Sequence, residues 1–411
     1  MTLNYIWTAF FVIAFVVALF KLLFLGDVEA FKTIVEAMFD TAKVAVMDIA
    51  LPLTGVMTLF LGILNVGEKA GAINVLARLI GPFFNKLFPE IPKDHPANGQ
   101  MIMNFAANML GLDNAATPFG LRAMQSLQDL NPNKDTASNA QIMFLVLHTS
   151  GLTLLPISIM AQRAILGATD PSDVFIPCLI GTYVTTVVSM IAVSIKQGIN
   201  LLNRTVMAWL GGITAGICLL LWYLSTLNKE QIEVFSKVTS NAVLFGIIVA
   251  FLLGALYKKV SVFETFIEGA KGGFETSVKI MPYLVGMLVA ISAFRNSGAM
   301  LYILDGLKWV IARTGTDTAF ADALPVALMK PLSGAGARAL MIDAMKQFGP
   351  DSFVGRLVCI FQGSADTTFY IVALYFGSVG IKQTRYAIPY GLFADFVGVI
   401  AGILLGYFFF G

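Results

Sequence analysis

The chain has 411 residues, of which 57% are apolar and 13% charged, and a formal net charge of +2. Soluble domains carry charge on about a quarter of their residues, so lipid is the expected solvent. The small net charge, without a basic run, gives no reason to expect nucleic acid as a partner. Cys178, Cys218 and Cys359 are scattered singly, and the two histidines, His95 and His148, are far apart, which excludes a zinc spacing, a disulfide framework and a histidine-rich metal site.

The first apolar run, residues 5–25, matches the roughly 20 residues that span a bilayer. It lacks a basic start and a small-residue cleavage site, and it reads as a retained anchor. Predicted crossings follow at 4–25, 46–66, 140–162, 174–196, 206–227, 240–257, 280–296, 353–376 and 387–410, nine in all. Between the first two, residues 27–45 set charges at helical spacing among Phe31, Val35, Met38 and Phe39. That pattern predicts a helix lying in the interface. Residues 260–278 repeat it, with Val262, Phe263, Phe266 and Ile267 against Glu264, Glu268, Lys271 and Glu275.

Other features recur in the same order. Phe31, Glu36, Pro52 and Gly55 are answered by Phe263, Glu268, Pro282 and Gly286. Each half then holds a short apolar segment broken by small or polar residues. The first break is Gly111 to Pro118, between 101–110 and 119–127; the second is Pro331 to Gly336, between 319–330 and 337–348. Arms this short predict re-entrant hairpins. A polar-interrupted crossing and a final crossing opening near Pro177 or Pro389 complete each half. The crossing 206–227 is then an odd linker that turns the second half upside down. The chain divides into 1–200, the linker 201–237, and 238–411.

Charge bias agrees with inversion. Residues 27–45 hold two lysines and four acids, whereas 258–279 hold four lysines and three glutamates. The loop 163–173 has Arg163 with Asp170 and Asp173; its counterpart 378–386 has Lys382 and Arg385 and no acid. With Lys196 and Arg204, this places the N-terminus inside.

Polar groups at membrane depth are the functional candidates, because a central Asp costs about 2.5–3.5 kcal/mol on insertion scales. The first break supplies Asn104, Asn108, Asp113, Asn114 and Thr117, either as a solute or cation site or as an exposed loop. The second supplies Ser333 in a glycine-rich turn, with Arg338 either an anion partner or snorkelling to the interface. Within the interrupted crossings lie His148, Ser150 and Thr153, and then Ser364, Asp366, Thr367 and Thr368. His148 reads as a titrating group or an interhelical hydrogen-bonder, and the hydroxyls as ligands or as partners of their own helix backbone. Asp395, in the last crossing, is a further buried acid. No P-loop, HExxH, CxxC or Gly-x-Ser-x-Gly is present, so no catalytic residue, metal site or resident cofactor is expected.

At these motifs the sequence resembles known families. The run Asn108-Met-Leu-Gly-Leu-Asp-Asn-Ala-Ala-Thr-Pro118 and Gly151-Leu-Thr-Leu-Leu-Pro156 resemble the spore maturation protein A family. Pro331-Leu-Ser-Gly-Ala-Gly336, Gly363-Ser-Ala-Asp-Thr-Thr-Phe-Tyr370 and Tyr375-Phe-Gly-Ser-Val-Gly-Ile381 resemble the spore maturation protein B family. Both carry the Gate, or nucleoside-recognition, domain also found in concentrative nucleoside transporters. The resemblance implies an all-α polytopic membrane protein of two inverted Gate-type repeats with re-entrant helical hairpins and about nine crossings. It implies a place in the bacterial cytoplasmic (inner) membrane and a homo-oligomer of the elevator kind. Hairpin tips and unwound helices would bind a small polar solute, nucleoside-like by analogy, driven by a coupling cation, Na+ or H+. The alternative is a non-transporting scaffold or an envelope or spore-maturation partner.

Overall fold

The computed structural model describes residues 2–110, 113–313, 315 and 317–411, and no strand forms among them. Seven of its helices are long and apolar enough to cross a bilayer, or eight if the bent pair Leu284–Asn296 and Ala299–Ala312 counts as one span. The expected ninth, 140–162, is instead two short helices, Asn139–Thr149 and Ile157–Ile165. Gly151, at φ +59°, turns the chain out of the first, and Pro156 has no N–H with which to continue it. The crossing 353–376 divides in the same way, into Phe353–Gly363 and Thr368–Ser378. We call these two elements the first and second broken helices.

The interfacial helices expected at 27–45 and 260–278 are not separate elements. The first continues into the next crossing as one helix, Ala30–Lys69, and the second as Val262–Asn296. Pro52 would be expected to break the first. A π-helical turn over Ala45–Ala50 widens the helix just before the proline, so its missing N–H leaves the ladder unbroken. At 40 residues this helix is about 60 Å long, twice the roughly 30 Å hydrocarbon core. Its charged first turns therefore extend beyond the apolar layer, which is why they look amphipathic in sequence.

The two long helices pack antiparallel along their length. Thr41 Oγ1 donates to Ser292 Oγ at 2.8 Å, Asn65 Nδ2 donates to Thr265 O at 2.7 Å, and Lys69 pairs with Glu268. Small residues allow this approach: a Cβ on Gly273 would lie 2.6 Å from Met57 O.

The remaining elements follow the same order twice. After Gly71 (φ +88°) comes Ala72–Leu87, and after Gly298 (φ +92°) comes Ala299–Ala312; neither short helix was expected. Pro96–Met109 then packs on Asp113–Leu130, and Ala319–Met329 on Gly334–Phe348. The broken helices follow, then the crossings Phe175–Gln197 and Ala387–Phe410. Arg204–Ser225 joins the halves. Residues Ala140 to Thr149 of the first broken helix are all buried, so this piece is protein-wrapped and not lipid-facing.

Two clamps fix the ends of the broken helices. At the end of the first, the fully buried Arg163 places Nη2 2.8 Å from Asp173 Oδ1 and 3.0 Å from Asp351 Oδ1. Arg356 Nε lies 2.7 Å from Asp173 Oδ2, and Asp351 Oδ2 accepts from Thr169 N at 2.9 Å and Thr169 Oγ1 at 2.8 Å. This ionic clamp also marks the start of the second broken helix. The opposite ends meet in an amide clamp. There Asp135 O accepts from Lys382 N and Gln383 N, each at 2.9 Å, and Ala137 N donates to Gln383 O at 3.0 Å. Beneath it, Gln141 Nε2 donates to Gln128 Oε1 at 2.9 Å and Asn131 Nδ2 donates to Gln141 Oε1 at 3.2 Å. The broken helices thus run in opposite directions between the same two clamps.

Candidate functional site

The breaks meet midway between the clamps. Asp366 N donates to Thr149 O at 2.7 Å, so each break closes part of the other. Each folded-back helix pair also touches the break of its own half. Leu154 N donates to Met109 O at 2.7 Å, and Phe369 N donates to Pro331 O at 3.1 Å. These bonds use backbone groups that an unbroken helix would have paired within itself.

A cavity of about 420 Å³ opens at this junction, within the range of pockets that enclose small molecules. Met57, Phe60, Leu61 and Leu64 of the long helix form an apolar wall. The polar lining comes from both halves: Asn108, Thr117, His148 and Thr153 from the first, and Lys330, Arg338, Gln362, Asp366 and Tyr375 from the second. Side chains of opposite charge type therefore face one cavity.

His148 is held from several sides. Its Nδ1 lies 2.8 Å from Asn108 Nδ2, 3.1 Å from Asn104 Oδ1 and 3.4 Å from the Tyr375 hydroxyl. Nδ1 accepts from the Asn108 amide in one tautomer and donates to Asn104 Oδ1 in the other, and Nε2 lies 3.8 Å from Asp366 Oδ2. The Tyr375 ring meets the imidazole edge-on at 5.0 Å between centroids, and Asn104 Nδ2 donates to Ala116 O at 2.7 Å. Asn104 is fully buried behind the histidine and ties it to the helix after the first break. Gly120 leaves room for this arrangement, since a Cβ there would meet the Tyr375 ring at 2.5 Å.

Of the residues singled out in sequence, Asn108, Thr117, His148, Thr153, Arg338 and Asp366 line the cavity. Asn104 supports it from behind. Ser150 Oγ donates to Leu147 O at 2.9 Å and Ser364 Oγ to Phe361 O at 3.0 Å, so both hydroxyls finish their own helices. Ser333 Oγ accepts from Gly336 N at 3.0 Å and caps the helix that follows. Thr367 is buried against the turn at Gly334, and Thr368 Oγ1 donates to Asp395 Oδ2 at 2.7 Å. The side chains of Asp113 and Asn114 lie outside the described residues.

Lys330, Gln362 and Tyr375 also line the cavity and were not singled out. Lys330 carried a readable signal, a lysine at the end of an apolar arm directly before Pro331. Tyr375 carried none, because its role depends on a contact with His148 across 227 positions.

Comparison with known proteins places these residues in context. The Gate family model, described as nucleoside recognition, matches residues 50–166 and 277–382, which include both breaks and both folded-back pairs. Spore maturation protein B of Bacillus subtilis (strain 168) is 47% identical over 165 residues, covering 40% of this chain and 91% of that protein. Spore maturation protein A of the same organism is 36% identical over 188 residues, covering 46% of this chain and 92% of that protein. No solved structure matches the chain.

Proposed function

The chain belongs to the Gate, or nucleoside-recognition, family, and from that premise we propose that it is a secondary transporter of a small polar solute. The observation that carries this reading is the cavity at the meeting of two helix breaks, lined by polar groups from both halves. Broken helices supply unpaired backbone groups and half-helix ends that bind solutes in an apolar setting. His148 and Asp366 would orient a hydrogen-bonding solute, and Lys330 and Arg338 would balance its charge distribution. The family's description makes nucleoside-like solutes the first class to test. The sequence has no nucleotide-hydrolysis motif, so an ion gradient would drive the movement, and no enzyme chemistry is assigned.

In this reading the halves are inverted repeats and the folded-back pairs are re-entrant hairpins of a protein of the bacterial cytoplasmic membrane, which works as a homo-oligomer. What supports inversion is the antiparallel pairing of equivalent long helices, the opposed broken helices, and the matched bonds Leu154 to Met109 and Phe369 to Pro331.

Flux measured in proteoliposomes over a solute panel tests the proposal. Asp366→Asn and Asn108→Ala are expected to lower flux by about tenfold or more, the loss expected for a hydrogen bond to a charged or buried group. Correctly folded protein that moves no solute in the panel overturns transport and leaves the alternative, a non-transporting membrane scaffold or an envelope or spore-maturation partner.

A further inference from the structure

Asp395 lies in the last crossing, behind the cavity wall, and is 6% exposed. Its Oδ2 accepts from Thr368 Oγ1 at 2.7 Å, while Oδ1 has no hydrogen-bond partner among the described residues. A carboxylate so enclosed is costly when charged and half-satisfied. The unpartnered oxygen is a place for a proton.

Thr368 joins this carboxyl to the second break. It is the first residue of the second piece of the broken helix, two residues from Asp366, and its neighbour Phe369 bonds the hairpin carbonyl of Pro331. Charge on Asp395 strengthens the Thr368 hydroxyl bond and so the seating of that helix start; neutralisation weakens it. Among the elements packed on the last crossing, Lys330 and Asp366 present charges that act on Asp395. Of the other titratable groups on those elements, His148 bonds Asn108, Tyr375 accepts from Asn104, Tyr183 bonds Thr214 at 2.8 Å, and Arg356 belongs to the ionic clamp. Cys178 donates to Cys359 O, Cys359 lies against Met345 Sδ, and Lys196 and Tyr370 are exposed. The helix Lys229–Tyr257 has no charged residue between Lys237 and Tyr257. Aligned on Pro177 and Pro389, the first half carries Tyr183 where the second carries Asp395, so only one half holds an acid here.

We propose that Asp395 is the proton-binding site that couples transport to a proton gradient. Oδ1 takes a proton from hydronium on one side of the membrane, leaving water, and returns it to water on the other. This deepens the transport reading and rests on it.

The test has two arms, both on the full chain. In nanodiscs, infrared difference spectra between high and low pH are expected to show a carboxylic C=O band that Asp395→Asn abolishes. Thr368→Val, which keeps the acid and removes its donor, should move the band's frequency without abolishing it. A titrating band retained in full by Asp395→Asn, or one indifferent to Thr368→Val, overturns the site. In proteoliposomes, accumulation of a transported solute is expected to rise by up to about tenfold per unit of pH difference for one proton per solute, and Asp395→Asn is expected to lose that response. Wild-type flux indifferent to the pH gradient overturns this proposal alone. Absence of flux for every solute overturns the transport reading, and the coupling with it.

Discussion

The two clamps hold equivalent joints of the two halves with different chemistry. In the ionic clamp, the loop after the first broken helix meets the loop before the second, through Arg163, Asp173, Asp351 and Arg356. In the amide clamp, the loop before the first broken helix meets the loop after the second, through main-chain bonds at Asp135, Ala137 and Gln383 over buried amides. The topology requires both joints to be closed, because each anchors a helix that is broken in its middle and cannot brace itself. It does not require that they be closed alike. Four charges brought together at one end make a joint that depends on protonation and on every partner being present. Main-chain bonds and buried amides carry the other, where charge enters only at the rim, through Arg385 Nη1 donating to Ala137 O at 2.9 Å and the exposed Lys382–Asp135 pair.

The largest expected effect breaks the ionic side of this comparison. Arg163→Met removes a fully buried cation and leaves Asp173 and Asp351 short of a partner, which should destabilise the protein by about 3–5 kcal/mol. Thermal unfolding of the detergent-solubilised chain measures it. The double change Arg163→Met, Asp173→Asn should recover part of the loss, since it removes the stranded charge as well. A loss below about 1 kcal/mol would mean that the network behaves like a surface pair, and the contrast between clamps would collapse.

The amide side should give less. Gln141 is fully buried, accepts from Ser138 N at 2.9 Å and bonds both Asn131 and Gln128. Gln141→Leu keeps the volume but strands those groups and opens the capping box at Ser138. The expected cost is about 1–3 kcal/mol, read by the same unfolding experiment. A cost equal to that of Arg163→Met would show that the two joints carry the same load.

Legibility in the sequence followed the same divide. Residue type and order sufficed for the helical class, the broken segments and the interruptions at Gly151 and Asp366, because proline, glycine and polar residues at membrane depth act locally. Continuity of Ala30–Lys69 was not readable. Pro52 argued for a boundary, and only the π-helical turn before it shows how the helix passes through. Arg163, Asp170 and Asp173 entered the sequence argument as a loop charge count, although Arg163 is buried and its partner Asp351 lies 188 residues away. Tyr375 and Lys330 were missed for the same reason, since the cavity is made by contacts between halves. Ser150 and Ser364 read as ligands or as partners of their own helix, and each hydroxyl donates to a carbonyl of its own helix, an ambiguity that serine always carries in a sequence.

The smallest effect sharpens the comparison most, because it separates the clamps by pH alone. Burial pushes the Asp351 carboxyl up, but the Thr169 N–H and hydroxyl, with Arg163 and Arg356, hold it below its ordinary value in the folded protein. A folded value below the unfolded one stabilises the fold above the ordinary carboxylate range, and that contribution is lost as pH falls through the range and below it. Asp351→Asn keeps an acceptor for Thr169 and removes the charge and the oxygen that faces Arg163, which keeps Asp173, so at this half-exposed position its cost at neutral pH should be about 1 kcal/mol or less. The difference in stability between wild type and Asp351→Asn should therefore be open at neutral pH and close on acidification. The difference for Gln141→Leu should stay constant, because its lost bonds are between neutral groups and the nearby Lys382–Asp135 pair is exposed at 3.9 Å. Unfolding curves of the three chains at matched pH values would show it. If the Asp351→Asn difference held constant into acid, the clamp's charges would be set by burial alone, and the two joints would differ in composition but not in behaviour.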